Sequence, residues 1–273
     1  IIDGARLHMG KRFVYKHNDI DNLKIQLERA NRWVDGTGGS ILVITEGVFG
    51  MSGAQGKLKE VIALKSKYNF RLLIDDAHGF GTMGATGAGT HEAQDCMEGI
   101  DIYFGTFAKS MAGIGAFIAS TEPITNYLRY NMRSQTFAKS LPMPMVLGLQ
   151  KRLELLQNSP ELREQLWRIA TALQTGLKER GFNIGVTNTM VTPVFLEGEL
   201  SEATALTRDL RTHYGIFCSI VVYPVVPKGT IMLRLIPTAT HTLSDVQRTL
   251  DAFTEVSKKL IAGYYKENSE VMF

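Results

Sequence analysis

The sequence predicts an α/β protein with a mostly parallel central sheet, helices on both faces, and a smaller α+β unit at its C-terminal end. Three observations carry this. Apolar runs of strand length, Ile41–Thr45, Arg71–Asp75 and Ile100–Phe104, alternate with segments of helical period, the pattern of right-handed crossovers between parallel strands. Glycine-rich stretches such as Thr37-Gly38-Gly39-Ser40 and Gly79 to Gly89 punctuate them. Beyond about residue 160 the pattern changes to short strands and two further helices. A chain of 273 residues holds one large domain and a smaller one, here 1–160 and 161–273.

Taken in order, Lys11–Tyr15 reads as a short strand. Asn18-Asp19-Ile20-Asp21 caps a helix whose apolar positions are Leu23, Ile25, Leu27 and Trp33. Ile41–Thr45 reads as a fully buried strand. Leu58–Tyr68 is a helix with Val61, Ile62, Leu64 and Tyr68 inward, and Arg71–Asp75 is the next buried strand. Ile100–Phe104 and Ile114–Ile118 follow as strands. Ile124–Asn131, Met145–Leu156 and Pro160–Gly181 follow as helices. The C-terminal unit has strands at Thr192–Leu196, Gly215–Val222 and Ile231–Ile236, with helices from Ala203 and over Leu243–Leu260.

Composition narrows the function. Hydrophobic residues make up 44% and charged residues 21%, ordinary globular usage. The net charge of +3 is spread without a basic run, which argues against nucleic acid as a partner. Cys96 and Cys218 show no metal spacing and read as reduced thiols of a cytosolic protein. No apolar stretch reaches the roughly 18 residues of a membrane span. The opening Ile1-Ile2-Asp3-Gly4 reads as a start inside a domain.

Two stretches carry the chemistry. Gly105-Thr106-Phe107-Ala108-Lys109-Ser110 sets one lysine among small and hydroxyl residues. It follows Leu72-Leu73-Ile74-Asp75-Asp76-Ala77-His78-Gly79, an apolar run closed by a carboxylate and, three residues later, a histidine. Together they read as a site for pyridoxal phosphate (PLP), with Lys109 forming the Schiff base and Asp75 facing the pyridine nitrogen. Thr106 and Ser110 offer hydroxyls to a phosphate, and a lysine in this role is expected in an apolar pocket. The plainer readings are a solvated lysine, a strand-end helix cap, or a metal set of Asp75, Asp76 and His78. No further cluster in the sequence completes such a metal set. His78 reads either as a donor to the phenolic oxygen of PLP or as a structural histidine under the loop. Arg234, flanked by Leu233, Leu235 and Ile236, reads either as a bidentate grip on a substrate carboxylate or as an edge-strand arginine facing water.

These motifs resemble the α-oxoamine synthases, a PLP-dependent fold-type I family with the class I/II aminotransferase fold. Thr45-Glu46-Gly47-Val48-Phe49, Asp75-Asp76-Ala77-His78, Gly105-Thr106-Phe107-Ala108-Lys109, and Arg234 with Thr238-Ala239-Thr240-His241-Thr242 all match its patterns. The resemblance spans almost the whole chain and sits nearest the bacterial serine palmitoyltransferase branch. It implies roles position by position. Lys109 bonds the cofactor and shuttles the proton at the substrate α-carbon. Asp75 faces the pyridine nitrogen, His78 the phenolic oxygen, and Thr106 the phosphate. Arg234 holds the substrate carboxylate. The histidine that stacks on the PLP ring falls three residues before Ile1, so the N-terminal part of the cofactor site lies outside this sequence.

The implied reaction is a decarboxylating condensation of an amino acid with an acyl-CoA. L-serine and palmitoyl-CoA are the favoured pair, giving 3-ketodihydrosphingosine in sphingolipid metabolism. The glycine C-acetyltransferase and 8-amino-7-oxononanoate synthase reactions are the alternatives. A silent PLP-fold partner subunit and a plain aminotransferase are the readings of other kinds. The family also implies a cytoplasmic homodimer with its active site at the interface, and it leaves room for a membrane association that no stretch here encodes. Ala108, where serine is common, and Lys139, near a phosphate-reaching threonine of relatives, depart from the pattern. A compensating charge from Lys139 is the expectation there.

Overall fold

The computed structural model describes residues 1–267. The larger sheet holds β1 (Ile41–Glu46), β2 (Phe70–Asp75), β3 (Ile102–Thr106) and β4 (Ala116–Ser120), side by side in that order. β1, β2 and β3 run parallel, and β4 returns antiparallel to β3. The return has a simple cause. A parallel neighbour needs a crossover of about a dozen residues or more, and residues 107–115 are too few to make one.

The helix Ile20–Asp35 starts where Asp19 accepts the Asn22 N–H at 2.8 Å, an N-cap that satisfies one free helix-end donor. Its Leu23 and Leu27 join Val43, Leu58, Val61, Leu72 and Ile74 in the core beneath the sheet. Ile25 and Trp33, expected inward, are about half exposed. Ile25 lies two positions from Leu23 and from Leu27, so the helical period turns it away. Trp33 instead carries the Lys11 ammonium over its ring at 4.2 Å. Lys11–Tyr15 forms no strand, because no described strand runs alongside it. β1 is not fully buried either. It is an edge strand, and Leu42 on one of its faces is 48% exposed.

The helix expected over Leu58–Tyr68 is shorter, Leu58–Ala63, and tightens into a 3-10 turn over Leu64–Ser66. After β4 come the helices Glu122–Asn131, Met143–Asn158 and Pro160–Glu179. The last two part at Ser159, so residue 160 opens the second of them.

The smaller sheet holds β5 (Thr192–Glu197), β6 (Ser219–Val221) and β7 (Thr230–Leu235), with β7 central and every pairing antiparallel. Ile231, Leu233 and Leu235 of β7 point into a core shared with the helices Pro160–Glu179, Leu200–Tyr214 and Leu243–Ile261. Strand alternation therefore puts Met232 and Arg234 on the opposite face. A third cluster joins Val48 and Met83 to Leu166, Ala170, Met190 and Val191. Trp167 Nε1 and Arg163 Nη2 donate across the same seam, to Thr82 O at 3.0 Å and Ala85 O at 2.6 Å. Among the described residues no helix is long and apolar enough to cross a membrane.

Candidate active site

The carboxyl ends of parallel strands are where ligands gather in open α/β sheets, and here the ends of β1 and β2 are acidic. Glu46 and Asp75 are register partners at those two ends. Asp75 Oδ1 accepts the Ala77 N–H at 3.1 Å. Its Oδ2 has no hydrogen-bond partner among the described residues.

Asp76, one residue on, turns the other way and is fully buried. It accepts the Thr90 N–H and the Tyr103 hydroxyl at Oδ2, 2.7 and 2.8 Å, and the Thr90 hydroxyl at Oδ1, 2.7 Å. Three backbone segments close on this carboxylate. A Cβ added at Gly47, Gly79 or Gly89 would overlap an Asp76 oxygen. Gly89 also has φ +131°, a conformation that only glycine adopts with ease. Burial raises the Asp76 pKa above the ordinary aspartate value despite its three donors. The residue after Asp75 is thus a hub that ties the β1 loop, the β2 loop and the Gly79–Gly89 excursion together.

His78 is half-buried, and its ring presses so closely on the Gly50 backbone that a Cβ there would overlap it. Burial, then the charges of Lys109 and Arg234, pull its pKa down to about 4. At neutral pH it is an uncharged imidazole with one N–H to donate.

Lys109 follows β3 in a turn closed by the Ala112 N–H to Lys109 O bond at 2.9 Å. Its side chain is exposed, contrary to the apolar pocket expected for it. The turn stands beyond the end of the sheet, with Met111 buried in it and Leu149 against Gly113, while the lysine side chain points away from that packing. Thr106 donates its hydroxyl to Gly115 O at 3.2 Å and accepts the Ala108 N–H at 3.2 Å. Ser110 donates its hydroxyl to Phe80 O at 2.7 Å. Both hydroxyl protons shape the turn, so either must rotate before it can serve a phosphate.

Arg234 enters from β7. Its Nη1 donates to Gly50 O at 2.9 Å and lies 3.7 Å from Met51 Sδ. Its Nε is buried without a hydrogen-bond partner among the described residues. A buried guanidinium N–H without an acceptor costs about 1–3 kcal/mol or more. The Nε edge is the one that takes a carboxylate in bidentate fashion.

The same groups act on one another. Lys109 and Arg234 both oppose protonation of His78, and Asp75 and Lys109 both act on the Glu46 carboxyl. Asp75, His78, Lys109 and Arg234, spread over the sequence, are therefore brought near one another at the strand ends, with Thr106 at the base of the lysine turn. Sequence reasoning gave no role to Glu46, Gly50 or Tyr103. Glu46 had the same signal as Asp75, a carboxylate closing an apolar run. These side chains fit PLP: an amine, a carboxylate with a free oxygen, a neutral imidazole, and an arginine edge waiting for an anion.

Comparison with known proteins agrees. The sequence model of the family described as aminotransferase class I and II matches residues 1–253. The chain belongs to that family. Its fold is that of the fold-type I PLP transferases, it is of the α-oxoamine synthase type, and PLP is the family's cofactor. The chain is 61% identical over 266 residues to a cysteate-C-fatty acyltransferase of Capnocytophaga ochracea, covering 97% of this chain and 63% of that one. It is 36% identical over 259 residues to an 8-amino-7-oxononanoate synthase of Fervidobacterium nodosum, covering 95% and 65%. A serine palmitoyltransferase from S. paucimobilis, solved with a bound PLP–myriocin adduct, superposes with a TM-score of 0.87 at 31% identity. That match covers 96% of this chain and 64% of the solved one. The chain thus spans less than two thirds of the length of each of these relatives.

Proposed function

We propose that the protein is a PLP-dependent acyltransferase that condenses cysteate with a fatty acyl-CoA and releases the amino acid's carboxylate as CO₂. One observation carries the choice of amino acid: the 61% identity to a cysteate-C-fatty acyltransferase, against 36% to an oxononanoate synthase. The serine and palmitoyl-CoA expected from the motifs are the second reading, favoured by the fold similarity to a serine palmitoyltransferase.

Lys109, Asp75, His78 and Thr106 would hold the cofactor. When bound, PLP supplies an electron sink for the pair left at the substrate α-carbon. Arg234 receives the substrate carboxylate on its unpaired Nε edge. Lys109 takes the α-proton as general base. Asp75 would face the pyridine nitrogen, and neutral His78 would donate its single N–H to the phenolic oxygen. The α-carbon then forms its bond to the thioester carbonyl carbon, the C–S bond breaks, and CoA leaves as the thiol. Loss of CO₂ follows.

We further assign the assembly as a homodimer with the site at its interface. The exposed apolar side chains Tyr127, Tyr130, Phe137, Leu141, Met143 and Leu147 support this.

The test is CoA-thiol release by the PLP-loaded full chain. Cysteate, serine, glycine and alanine are crossed with palmitoyl-, acetyl- and pimeloyl-CoA, and the products are identified by mass. Release with cysteate and palmitoyl-CoA is expected. Release with serine alone would keep the chemistry and replace the substrate. Release with no pair would leave the silent subunit, and amino transfer without thiol release would leave the aminotransferase.

A further inference from the structure

Arg234 does not hold its own position. Its acceptors are the Gly50 carbonyl at 2.9 Å and, more weakly, Met51 Sδ at 3.7 Å, both on the same loop. What fixes Arg234 is therefore whatever fixes the Gly50 peptide. Glycine cannot fix itself, because its backbone is the least restricted of all residues, and no larger residue fits with His78 pressed against its Cα.

The loop that carries Gly50 is clamped at its far end. Gly53 O accepts the Thr189 hydroxyl at 2.9 Å and the Thr187 hydroxyl at 3.2 Å. The Gln55 N–H donates to Asn188 Oδ1 at 2.9 Å. At its near end the backbone is held by the Gly47 N–H to Asp75 O bond at 2.8 Å and the Phe49 N–H to Ala54 O bond at 2.9 Å, and the Gly50 peptide itself by one side chain. The Gly50 N–H donates to Glu46 Oε2 at 3.2 Å. Glu46 is the last residue of β1 and the register partner of Asp75, so it stands on the sheet and reaches the Gly50 peptide from there. Burial holds its carboxyl above the ordinary glutamate value, and the Gly50 N–H pulls the other way.

We propose that Glu46 is a positioning residue for carboxylate recognition: it accepts the Gly50 N–H, and the Gly50 carbonyl in turn aims the Nε edge of Arg234 at the substrate carboxylate. The inference rests on the reading of Arg234 as the carboxylate grip. It requires the hydrogen bond of Glu46 and not its charge. Glutamine offers the same acceptor oxygen and alanine offers none.

The experiment compares Glu46→Ala, Glu46→Gln and Arg234→Lys in the PLP-loaded full chain. It measures KM and kcat, the calorimetric dissociation constant for L-cysteate and L-serine in parallel, and thermal melting. Glu46→Ala is expected to weaken the amino acid in both KM and dissociation constant by about tenfold, the loss of about one hydrogen bond, with kcat little changed. Glu46→Gln is expected within about threefold of the parent, rescued by the retained acceptor. Combined with Arg234→Lys, Glu46→Ala is expected to add nothing, because the group it positions has gone. Three outcomes overturn the inference. Glu46→Ala leaves amino-acid affinity unchanged, or Glu46→Gln is as impaired as Glu46→Ala, or kcat falls while KM holds, which would make Glu46 a proton carrier. If Arg234→Lys itself leaves affinity unchanged, the carboxylate grip fails first, and that failure is read separately from any effect at Glu46.

Discussion

Two buried aspartates, one in each half of the molecule, are satisfied in opposite ways. Asp76 lies under the candidate site and accepts only neutral donors, from Thr90 and Tyr103. Asp209 lies in the smaller unit and accepts from Lys259 at 2.8 Å, Tyr265 at 2.5 Å and His213 at 2.7 Å. Burial wins at Asp76 and raises its pKa. At Asp209 the lysine, tyrosine and histidine outweigh burial and lower it. Lys259 and His213 reach Asp209 from helix surfaces, where both keep contact with solvent. Among the described residues no cation hydrogen-bonds Asp76, and the space around it is filled by glycine backbone from three segments. The lesson is one of purpose. Asp209 staples helices to each other, whereas Asp76 gathers the loops that present Asp75 and His78 and bears a desolvation cost to do so.

The largest expected effect follows directly. Asp76→Ala strands the Thr90 N–H and hydroxyl in a buried void, and should cost about 3 kcal/mol of stability. It should also weaken PLP binding, because Asp75 is its neighbour on the chain. Chemical denaturation and PLP titration check the two together. Asp209→Ala is the control that breaks the comparison if it fails. It should cost about 2 kcal/mol, since Lys259 and His213 can return to water and only the Tyr265 hydroxyl is left buried. PLP affinity and amino-acid KM should stay at parent values. A loss of PLP affinity equal to that of Asp76→Ala would mean that both act only through global stability.

Acid separates the two by sign. The Asp209 pKa is lower in the folded state than its ordinary 3.8. Its stabilisation is therefore present above that value and is lost as the pH falls through the folded-state pKa. The Asp76 pKa is raised above 3.8. Its charge is therefore a burden above the folded-state pKa, and the burden lifts as the pH falls through it toward 3.8. On acidification from neutral pH, the stability gap between the parent and Asp209→Ala should shrink, whereas that between the parent and Asp76→Ala should first widen. Denaturation midpoints across the acid range measure both gaps.

At neutral pH the smallest effect belongs to His78. With a folded-state pKa near 4 against an ordinary 6.5, it stays neutral while the unfolded chain takes up a proton. Stability should therefore fall as the pH drops from 6.5 toward 4. His78→Asn should flatten that part of the profile without moving the midpoint at pH 8.

The comparison also marks what was legible in the sequence. Arg234 stood out because an arginine within an apolar strand run is costly to bury unless it meets an anion, Lys109 for the small and hydroxyl residues around it, and Asp75 and His78 for closing an apolar run. The parallel run of β1, β2 and β3 followed from alternation, and the short 107–115 connection explains why β4 turns back. The exposed Lys109 was not legible, since strand-end position says nothing about what lies over a turn. Glu46 and Gly50 were not legible as a pair. Their importance comes from Arg234, 184 residues beyond Gly50 in the chain, and no local pattern encodes a contact of that span. The Asp76 hub was hidden for the same reason. Gly47, Gly79 and Gly89 look like loop glycines until the carboxylate they surround is placed among them.

The most direct test of the site is to load the full chain with PLP, reduce it with borohydride and map the labelled peptide by mass. The pyridoxyl group is expected on Lys109 alone, and lost in Lys109→Ala while the protein stays folded. A label on another lysine such as Lys139, or one that survives Lys109→Ala, would contradict the site described above.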